Sequence, residues 1–287
     1  MEKPLIDLHI HSTASDGSLT PAELIDMAEE LHLAAAALTD HDTVAGVDAF
    51  LQAATGRNVI AVPGVEISTA FDRREVHIVG LFIDHHSPEL NAFLNDICHK
   101  RHERNEKIIT KLQARGYDIT LDEVAAIAGG DVVGRPHIAR ILLEKYDEFQ
   151  VLQDVFDKLL KKGRPAYAPR ALTTPVEAIC QIHHAGGVAV WAHPIFRQPN
   201  EYHWCRKALK YLKHAGIDAI EVYYTSFNAE QTEMLRNYAA EFELAMSGGS
   251  DYHGAAYSET RMGTGGGGLR VPYEFYETLR ELAQKYR

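Results

Sequence analysis

The chain has 287 residues, of which 46% are hydrophobic and 24% charged, with 29 Lys and Arg against 40 Asp and Glu. This composition is typical of a globular protein and excludes a disordered chain, a collagen-like repeat and a disulfide scaffold. The formal net charge of −11 argues against stable, sequence-independent DNA binding, because that affinity comes from many Lys and Arg side chains that neutralise phosphates.

The first third of the chain alternates short apolar runs with amphipathic segments. A period-2 pattern over residues 5–10 predicts a strand whose polar face carries Asp7, His9 and His11. A capping box with proline at the first helical position begins at Thr20 and predicts a helix to about residue 31. We then expect a strand at 34–38, a helix to about 54, a strand at 59–62, and a hairpin of strands 64–70 and 75–83.

Residues 87–163 carry helical patterns with charged faces and no strand signal, which predicts a helical insertion that covers the mouth of the active site. Alternation of helices and strands then resumes to the end of the chain. We therefore expect an α/β protein in which residues 1–86 and 164–287 form one barrel-type or doubly wound domain. We expect helices from 174, at 204–214, 229–242 and 273–286, and strands at 187–192, 217–223 and 244–247.

Cysteine usage and the N-terminal sequence bear on the cellular location. The three cysteines are scattered and lack a CxxC spacing, which argues against a disulfide framework and a zinc–thiolate site. The N-terminus has no basic segment followed by an apolar run, and no stretch approaches the roughly 18 apolar residues of a membrane span. The expected location is the cytoplasm, without a membrane partner; the oligomeric state is left open.

Nine candidate metal ligands occur at or near the ends of successive strands, which in an α/β barrel face a common active site. His77 begins its strand, but a hairpin that pairs Ala70 with Glu75 would bring it opposite Ser68, on the face that carries Glu66. Asp40 and Asp42 are interpreted as helix caps or as partners of the ligands. The nine candidates are His9, His11, Asp16, His41, Glu66, His77, His193, Asp251 and His253.

Six imidazoles and three carboxylates without a thiolate suit Mn²⁺, Fe²⁺ or Zn²⁺ in an open catalytic site, with Mn²⁺ preferred. Nine donors exceed the need of one ion, so we expect several divalent ions that share carboxylates, with Glu66 and Asp251 as the best candidates for sharing. Such a centre activates water, polarises a phosphoryl oxygen and stabilises a leaving group. Phosphoester hydrolysis is the chemistry that most needs all three effects.

Seven segments together resemble the PHP (polymerase and histidinol phosphatase) family of metal-dependent phosphoesterases, and the likeness covers nearly the whole chain. They are Asp7-Leu8-His9-Ile10-His11-Ser12, Ser15-Asp16-Gly17, Leu38-Thr39-Asp40-His41-Asp42, Gly64-Val65-Glu66, Val76-His77-Ile78-Val79-Gly80, Ala192-His193-Pro194 and Gly249-Ser250-Asp251-Tyr252-His253.

The resemblance implies a distorted seven-stranded β/α barrel with a centre of three divalent metal ions. It assigns one ion to His9, His11, Glu66 and Asp251, a second to Glu66, His77 and His193, and a third to Asp16, His41 and His253.

The helical insertion is similar to the branch of the family that contains 3′,5′-nucleoside bisphosphate phosphatases and a 5′-to-3′ trimming ribonuclease. The resemblance makes Arg135 and His137 contacts of the substrate phosphate, with His137 either orienting that phosphate or protonating the leaving oxygen. An arginine fork suits bidentate phosphate recognition. Arg164, Arg197 and Arg261 are further candidates for a second phosphate.

The expected function is therefore removal of the 3′-phosphate from a bisphosphate such as pAp, together with cleavage of short 5′-phosphorylated RNA from its 5′ end. The alternatives are a phosphomonoesterase with another substrate such as histidinol phosphate, an amidohydrolase, and a non-catalytic nucleotide-binding module. No lysine stands at a predicted strand end to be carbamylated, which disfavours the amidohydrolase, and the complete set of candidate ligands disfavours the binding module.

Overall fold

Eight strands form a single sheet in the computed structural model, which describes residues 4–128, 132–195, 202–254 and 259–287. Their order across the sheet is β7-β6-β5-β4-β3-β2-β1-β8. The strands are β1 (Leu5–Ile10), β2 (Ala35–Leu38), β3 (Ile60–Phe71), β4 (Arg74–Leu81), β5 (Val188–Trp191), β6 (Ala219–Tyr224), β7 (Ala245–Gly249) and β8 (Val271–Pro272).

The sheet closes into a barrel where the segment after β7 meets β1. The Asp251 N–H donates to the His9 carbonyl at 2.8 Å, and the His11 N–H donates to the Tyr252 carbonyl at 2.9 Å. At Gly249 a Cβ would lie 2.3 Å from the His9 Cβ, so only glycine permits this approach of the two strands. The predicted α/β barrel is confirmed.

The strand count differs from the expected seven by the short strand β8, which pairs antiparallel with the start of β1. Two residues, one of them proline, carry no alternation that a sequence pattern could reveal. The strands predicted at 59–62 and 64–70 form one strand, β3. It pairs parallel with β2 through Pro63 and antiparallel with β4 from Gly64 onward, so two partners in succession use one continuous strand.

The predicted hairpin register is confirmed, because Ala70 pairs with Glu75 and Ser68 pairs with His77. The capping box is also confirmed: the Thr20 N–H donates to the Glu23 carboxylate at 2.7 Å. The helices are α1 (Pro21–Glu30), α2 (Val47–Ala53), α3 (Pro88–Gln113), α4 (Leu121–Ala128), α5 (Arg135–Lys145), α6 (Leu152–Val155), α7 (Pro175–His184), α8 (Tyr202–His214), α9 (Ala229–Glu241) and α10 (Tyr273–Ala283), with a π-helical turn at Phe156–Leu160.

Buried apolar side chains form two clusters, and the long helix α3 contributes to both. Leu90, Leu94 and Ile97 at its start pack into the barrel core. Ile108 and Leu112 near its end pack into a second cluster built from residues 108–168. The helix therefore ties the helical segment to the barrel and carries its middle, residues 98–107, past the strand ends that bear the candidate ligands. Among the described helices, none combines the length and hydropathy that crossing a membrane requires.

Candidate metal centre

All nine predicted ligands lie together at one end of the barrel. Glu66, fully buried on β3, lies at the centre of the cluster. One of its oxygens, Oε2, lies 2.8 Å from His41 Nδ1 and 3.4 Å from His11 Nε2. The other, Oε1, lies 2.8 Å from His77 Nδ1 and 2.9 Å from His193 Nε2. The Glu66 carboxylate therefore reaches histidines that follow β1, β2 and β5 and one that lies within β4.

A second carboxylate, that of Asp251, extends the cluster on the side of β1. Its Oδ1 lies 3.4 Å from His9 Nε2 and 3.1 Å from His11 Nε2. Asp16 completes the cluster, with Oδ1 at 3.4 Å from His253 Nε2. Three groups of donor atoms are compact enough for an ion each: His9, His11, Glu66 and Asp251; His11, Asp16, His41 and His253; and His41, Glu66 and His77.

The donor atoms of these groups fit divalent metal ions. Donors that share one ion at about 2.1 Å are roughly 3 Å apart, and the donors of each group lie within 4.8 Å of one another. A shared ion also leaves their lone pairs without hydrogen bonds. His9 Nε2, both ring nitrogens of His11, His41 Nδ1, Glu66 Oε2 and Asp251 Oδ1 are buried and have no hydrogen-bond partner among the described residues. Because unpaired buried polar atoms are costly, this concentration indicates a site built for cations.

Without metal, the negative charge of the carboxylates is balanced by protons on the imidazoles. Burial lowers the pKa of His77, but the Glu66 and Glu75 carboxylates outweigh it and raise the pKa to about 10. Burial also lowers the pKa of His253, but the carboxylates of Asp16 and Asp251 outweigh it and raise that pKa to about 10. At His11, burial and then the charge of His253 lower the pKa to about 3. Metal binding must therefore displace protons from some of these rings.

Two residues that sequence reasoning missed, Glu221 and Tyr224, orient candidate ligands through hydrogen bonds. Glu221, only 2% exposed on β6, accepts from His9 Nδ1 at 3.2 Å and from the His193 backbone N–H at 2.7 Å. Tyr224 donates its hydroxyl to Asp251 Oδ2 at 2.8 Å. Glu221 is the single charged residue of a strand otherwise made of apolar and aromatic residues, which is the signal that could have found it.

The two aspartates beside His41 contact other groups than the ligands. Asp40 accepts from both the N–H and the hydroxyl of Ser12, at 2.8 and 2.6 Å, and so anchors the loop that carries Asp16. Asp42 accepts from Arg101 Nε at 2.7 Å and from Arg170 Nη1 at 3.1 Å. Burial raises the pKa of Asp42, but the charges of the two arginines outweigh it and lower that pKa to about 2.

Three residues at this end of the barrel have a strained backbone. Asp42 and Asp251 have φ of 55° and His193 has φ of 30°, values in the left-handed region that costs non-glycine residues energy. Each of these residues follows a strand and turns its side chain into or beside the cluster. The hydrogen bonds to Asp42, His193 and Asp251 described above hold the strained conformations.

The cluster forms one wall of a cavity of about 870 Å³. Basic residues line much of the rest, although the chain as a whole is acidic: Arg73, Arg74, Arg101, Arg104, Arg135, Lys162 and Arg170. Metal-bound and arginine-bound anions can thus share one cavity.

The predicted phosphate-binding residues divide between this cavity and its surroundings. Arg135 opens α5 and lines the cavity. His137 lies two residues after Arg135 on α5 and is only 2% exposed. Its Nδ1 accepts a hydrogen bond from the Gly134 N–H at 3.0 Å. Arg164 and Arg261 are exposed and are not among the residues that line the cavity, and Arg197 lies outside the described residues.

Comparison with known proteins places this site in a family. The PHP domain family matches residues 7–168. The chain is 36% identical over 251 residues to the 5′-3′ exoribonuclease Rnm of Salmonella typhimurium, covering 87% of this chain and 85% of the relative. It is 36% identical over 253 residues to a 3′,5′-nucleoside bisphosphate phosphatase of Chromobacterium violaceum, covering 86% and 87%.

A solved structure from Chromobacterium violaceum, described as an amidohydrolase with bound sulfate and no metal, superposes with a TM-score of 0.86 at 32% identity and covers 96% of each chain. The barrel and its cluster of imidazoles and carboxylates define a metal-dependent hydrolase of phosphate esters. The chain belongs to the PHP domain family, since the family match spans more than half of it and two relatives of similar length exceed the identity of chance resemblance.

Proposed function

We propose that this protein removes the 3′-phosphate of nucleoside 3′,5′-bisphosphates, converting pAp to AMP and phosphate, and also releases nucleotides from the 5′ end of short 5′-phosphorylated oligoribonucleotides. The observation that carries the proposal is the cavity itself, in which a cluster of candidate metal ligands faces a set of arginines. A substrate with two phosphates matches two separate sources of positive charge.

The two curated relatives support this substrate class, because one acts on RNA from its 5′ end and the other on nucleoside bisphosphates, as their names state. Both reactions break the ester bond at a ribose 3′ oxygen beside a phosphate on the 5′ side of the same nucleotide. One binding mode thus serves both substrates.

We propose that the nine residues of the cluster hold three divalent ions, with Mn²⁺ preferred among Mn²⁺, Fe²⁺ and Zn²⁺. When bound, these ions would supply an activated water and polarise the phosphoryl oxygens. In the hydrolysis, oxygen from water bonds to phosphorus, the bond from phosphorus to the 3′ oxygen breaks, and that oxygen takes up a proton.

Arg135 would bind the phosphate that is removed, with the planar fork that suits two phosphate oxygens. His137 would orient the same phosphate rather than protonate the leaving oxygen, for two reasons. Its Nδ1 accepts a backbone hydrogen bond, which leaves the ring proton on Nε2 as a donor. Burial, followed by the charge of Arg101, lowers its pKa against the opposing effect of Asp16, so the ring is neutral at pH 7.

The test is release of AMP and phosphate from pAp by the purified protein with Mn²⁺ and with a chelator, beside a 5′-phosphorylated oligoribonucleotide. We expect metal-dependent turnover of both. His11→Ala and Asp251→Ala are expected to abolish turnover while the protein stays folded, and Glu241→Ala, at an exposed position on α9, serves as the control. An active, folded His11→Ala variant with its full metal content would contradict the proposal.

The same assay separates the alternatives. A phosphomonoesterase for another substrate would hydrolyse AMP or histidinol phosphate at least as fast as pAp. A non-catalytic module would bind pAp without metal-dependent turnover. An amidohydrolase would leave all phosphate esters intact.

A further inference from the structure

Arg104, on the face of α3 that lines the cavity, is a buried cation that forms no ion pair with any of the described residues. Its side chain is only 5% exposed, and its Nε and Nη2 have no hydrogen-bond partner among the described residues. A buried, unpaired charge is costly, and native proteins nearly always pair one. An anion that enters the cavity would supply the missing acceptors.

The arginines around it are already engaged. Arg101, three residues earlier on α3, is held by Asp42 and donates from Nη2 to Ser68 Oγ at 3.2 Å. Arg170 shares the same Asp42 carboxylate. Of these three arginines, Arg104 is therefore the one whose Nε and Nη2 receive no acceptor from the described residues and are left for a ligand.

The carboxylate of Glu75 does not neutralise Arg104. Glu75 acts on Arg104 electrostatically, but its oxygen lies 3.4 Å from His77 Nε2 and 3.9 Å from Arg170 Nη2 and forms no ion pair with Arg104. Burial, and then repulsion by Arg101 and Arg135, lowers the pKa of Arg104, consistent with a charge that lacks its counterion.

The position of Arg104 relative to the metal centre is set by the fold. Arg101 contacts Ser68, which pairs with the candidate ligand His77 across the β3–β4 hairpin. The side chain of Asn105, next to Arg104, donates to the Val133 carbonyl at 2.7 Å and so fixes α3 to the segment that leads into Arg135. Both arginines thus face one cavity beside the cluster, whose volume of about 870 Å³ lies in the range that holds small ligands.

We infer that Arg104 is a specificity-determining residue that binds the 5′-phosphate of the substrate, the one that is not removed, while the 3′-phosphate lies at the metal centre. This inference rests on the proposed function. It explains how one cavity accepts pAp and the 5′ end of a phosphorylated oligoribonucleotide, since both present a 5′-phosphate next to the scissile 3′ ester.

The test compares pAp with adenosine 3′-monophosphate, which lacks the 5′-phosphate. For Arg104→Met, a substitution of similar length without charge, kcat/KM for pAp is expected to fall about 10²-fold, the worth of a buried charge-assisted contact. The value for adenosine 3′-monophosphate is expected to stay within about threefold. Lys107→Met, which removes an exposed charge from the same helix, is the matched control and should change neither.

Arg104→Lys keeps the charge but loses the fork, so its kcat/KM for pAp should be intermediate. Because no described residue pairs with Arg104 in the free protein, we expect Arg104→Met to unfold at the same or a higher temperature than wild type. An equal loss on both substrates, or no loss on pAp, in a folded variant with unchanged metal content overturns the inference.

Binding of AMP and of adenosine, measured by calorimetry on wild type and both methionine variants, separates this inference from the proposed function. If wild type hydrolyses neither pAp nor RNA, the proposed function fails, and binding still decides the role of Arg104. We expect Arg104→Met alone to weaken AMP binding about 10²-fold and to leave adenosine binding unchanged. Equal AMP affinity in wild type and Arg104→Met overturns the inference whatever the substrate is.

Discussion

Replacing Glu221 by glutamine tests how strongly the metal centre depends on a residue that is not itself a candidate ligand. Both oxygens of this buried carboxylate are acceptors: one faces His9 Nδ1 at 3.2 Å and the other faces the His193 backbone N–H at 2.7 Å. Glutamine offers one acceptor and one donor, so it satisfies only one of the two.

Either placement of the amide damages the site. If the amide nitrogen faces the His193 N–H, two donors meet and the strained backbone at φ 30° loses its hydrogen bond. If it faces His9 Nδ1, that nitrogen must accept, and the ring proton moves to Nε2, the atom that points at Glu66 and Asp251. The neutral tautomer then has no lone pair left for a metal ion.

Loss of a carboxylate behind a metal-binding histidine typically costs 10- to 100-fold in metal affinity, or about 1.4–2.7 kcal/mol. We expect a loss of this size for Glu221→Gln, measured as Mn²⁺ affinity by calorimetry and as bound metal by elemental analysis. Activity should be recovered, in part, by raising the Mn²⁺ concentration. The matched control is Glu241→Gln, since Glu241 is exposed and pairs with Arg206 at the surface. Unchanged Mn²⁺ affinity in Glu221→Gln would refute the reasoning.

Three further predictions concern pH, charge pairing and barrel closure. The pKa of His77 and of His253 is about 10 in the folded metal-free protein against 6.5 when unfolded, so their contribution to stability is complete below pH 6.5 and is lost as pH rises through 10. The unfolding temperature in chelator should fall over that interval, while Mn²⁺ affinity rises; a metal-free protein that gains stability from pH 7 to 10 would contradict this. Asp42→Ala leaves two buried arginines without their carboxylate and should destabilise the protein by about 3–5 kcal/mol in urea unfolding, and a change below about 1 kcal/mol would mean that these arginines find other partners. Gly249→Ala puts a Cβ against β1 and should destabilise by at least about 1–3 kcal/mol and reduce bound metal, whereas unchanged melting and metal content would show that the two strands can move apart.

The candidate ligands could be predicted from sequence because most lie in or just after a strand with a clear local pattern, and all parallel strands of a barrel point their ends to one side. The hairpin register followed from the turn at 71–74, and it correctly moved His77 beside Glu66. Local periodicity was sufficient to predict where a candidate ligand lies whenever the ligand and its strand are neighbours in the chain.

The burial of the arginines that line the cavity could not be predicted in this way. Arg101 and Arg104 belong to a helix whose many charged residues look alike in sequence, and their burial depends on how the segment 108–168 packs beside the barrel. For the same reason the sequence could not show that Arg164, a further candidate for a second phosphate, is exposed outside the cavity, whereas Arg135 lines it. Packing between distant segments decides which charge faces solvent.

The backbone bonds that close the barrel join His9 and His11, near the start of the chain, to Asp251 and Tyr252, near its end. During synthesis the ribosome therefore releases the first strand long before the segment that completes both the barrel and the metal centre. A nascent chain that lacks residues 251–287, about an eighth of the sequence, has no complete hydrolytic site. Since contacts between such distant segments form late in folding, the metal centre would be completed only after most of the chain has been translated.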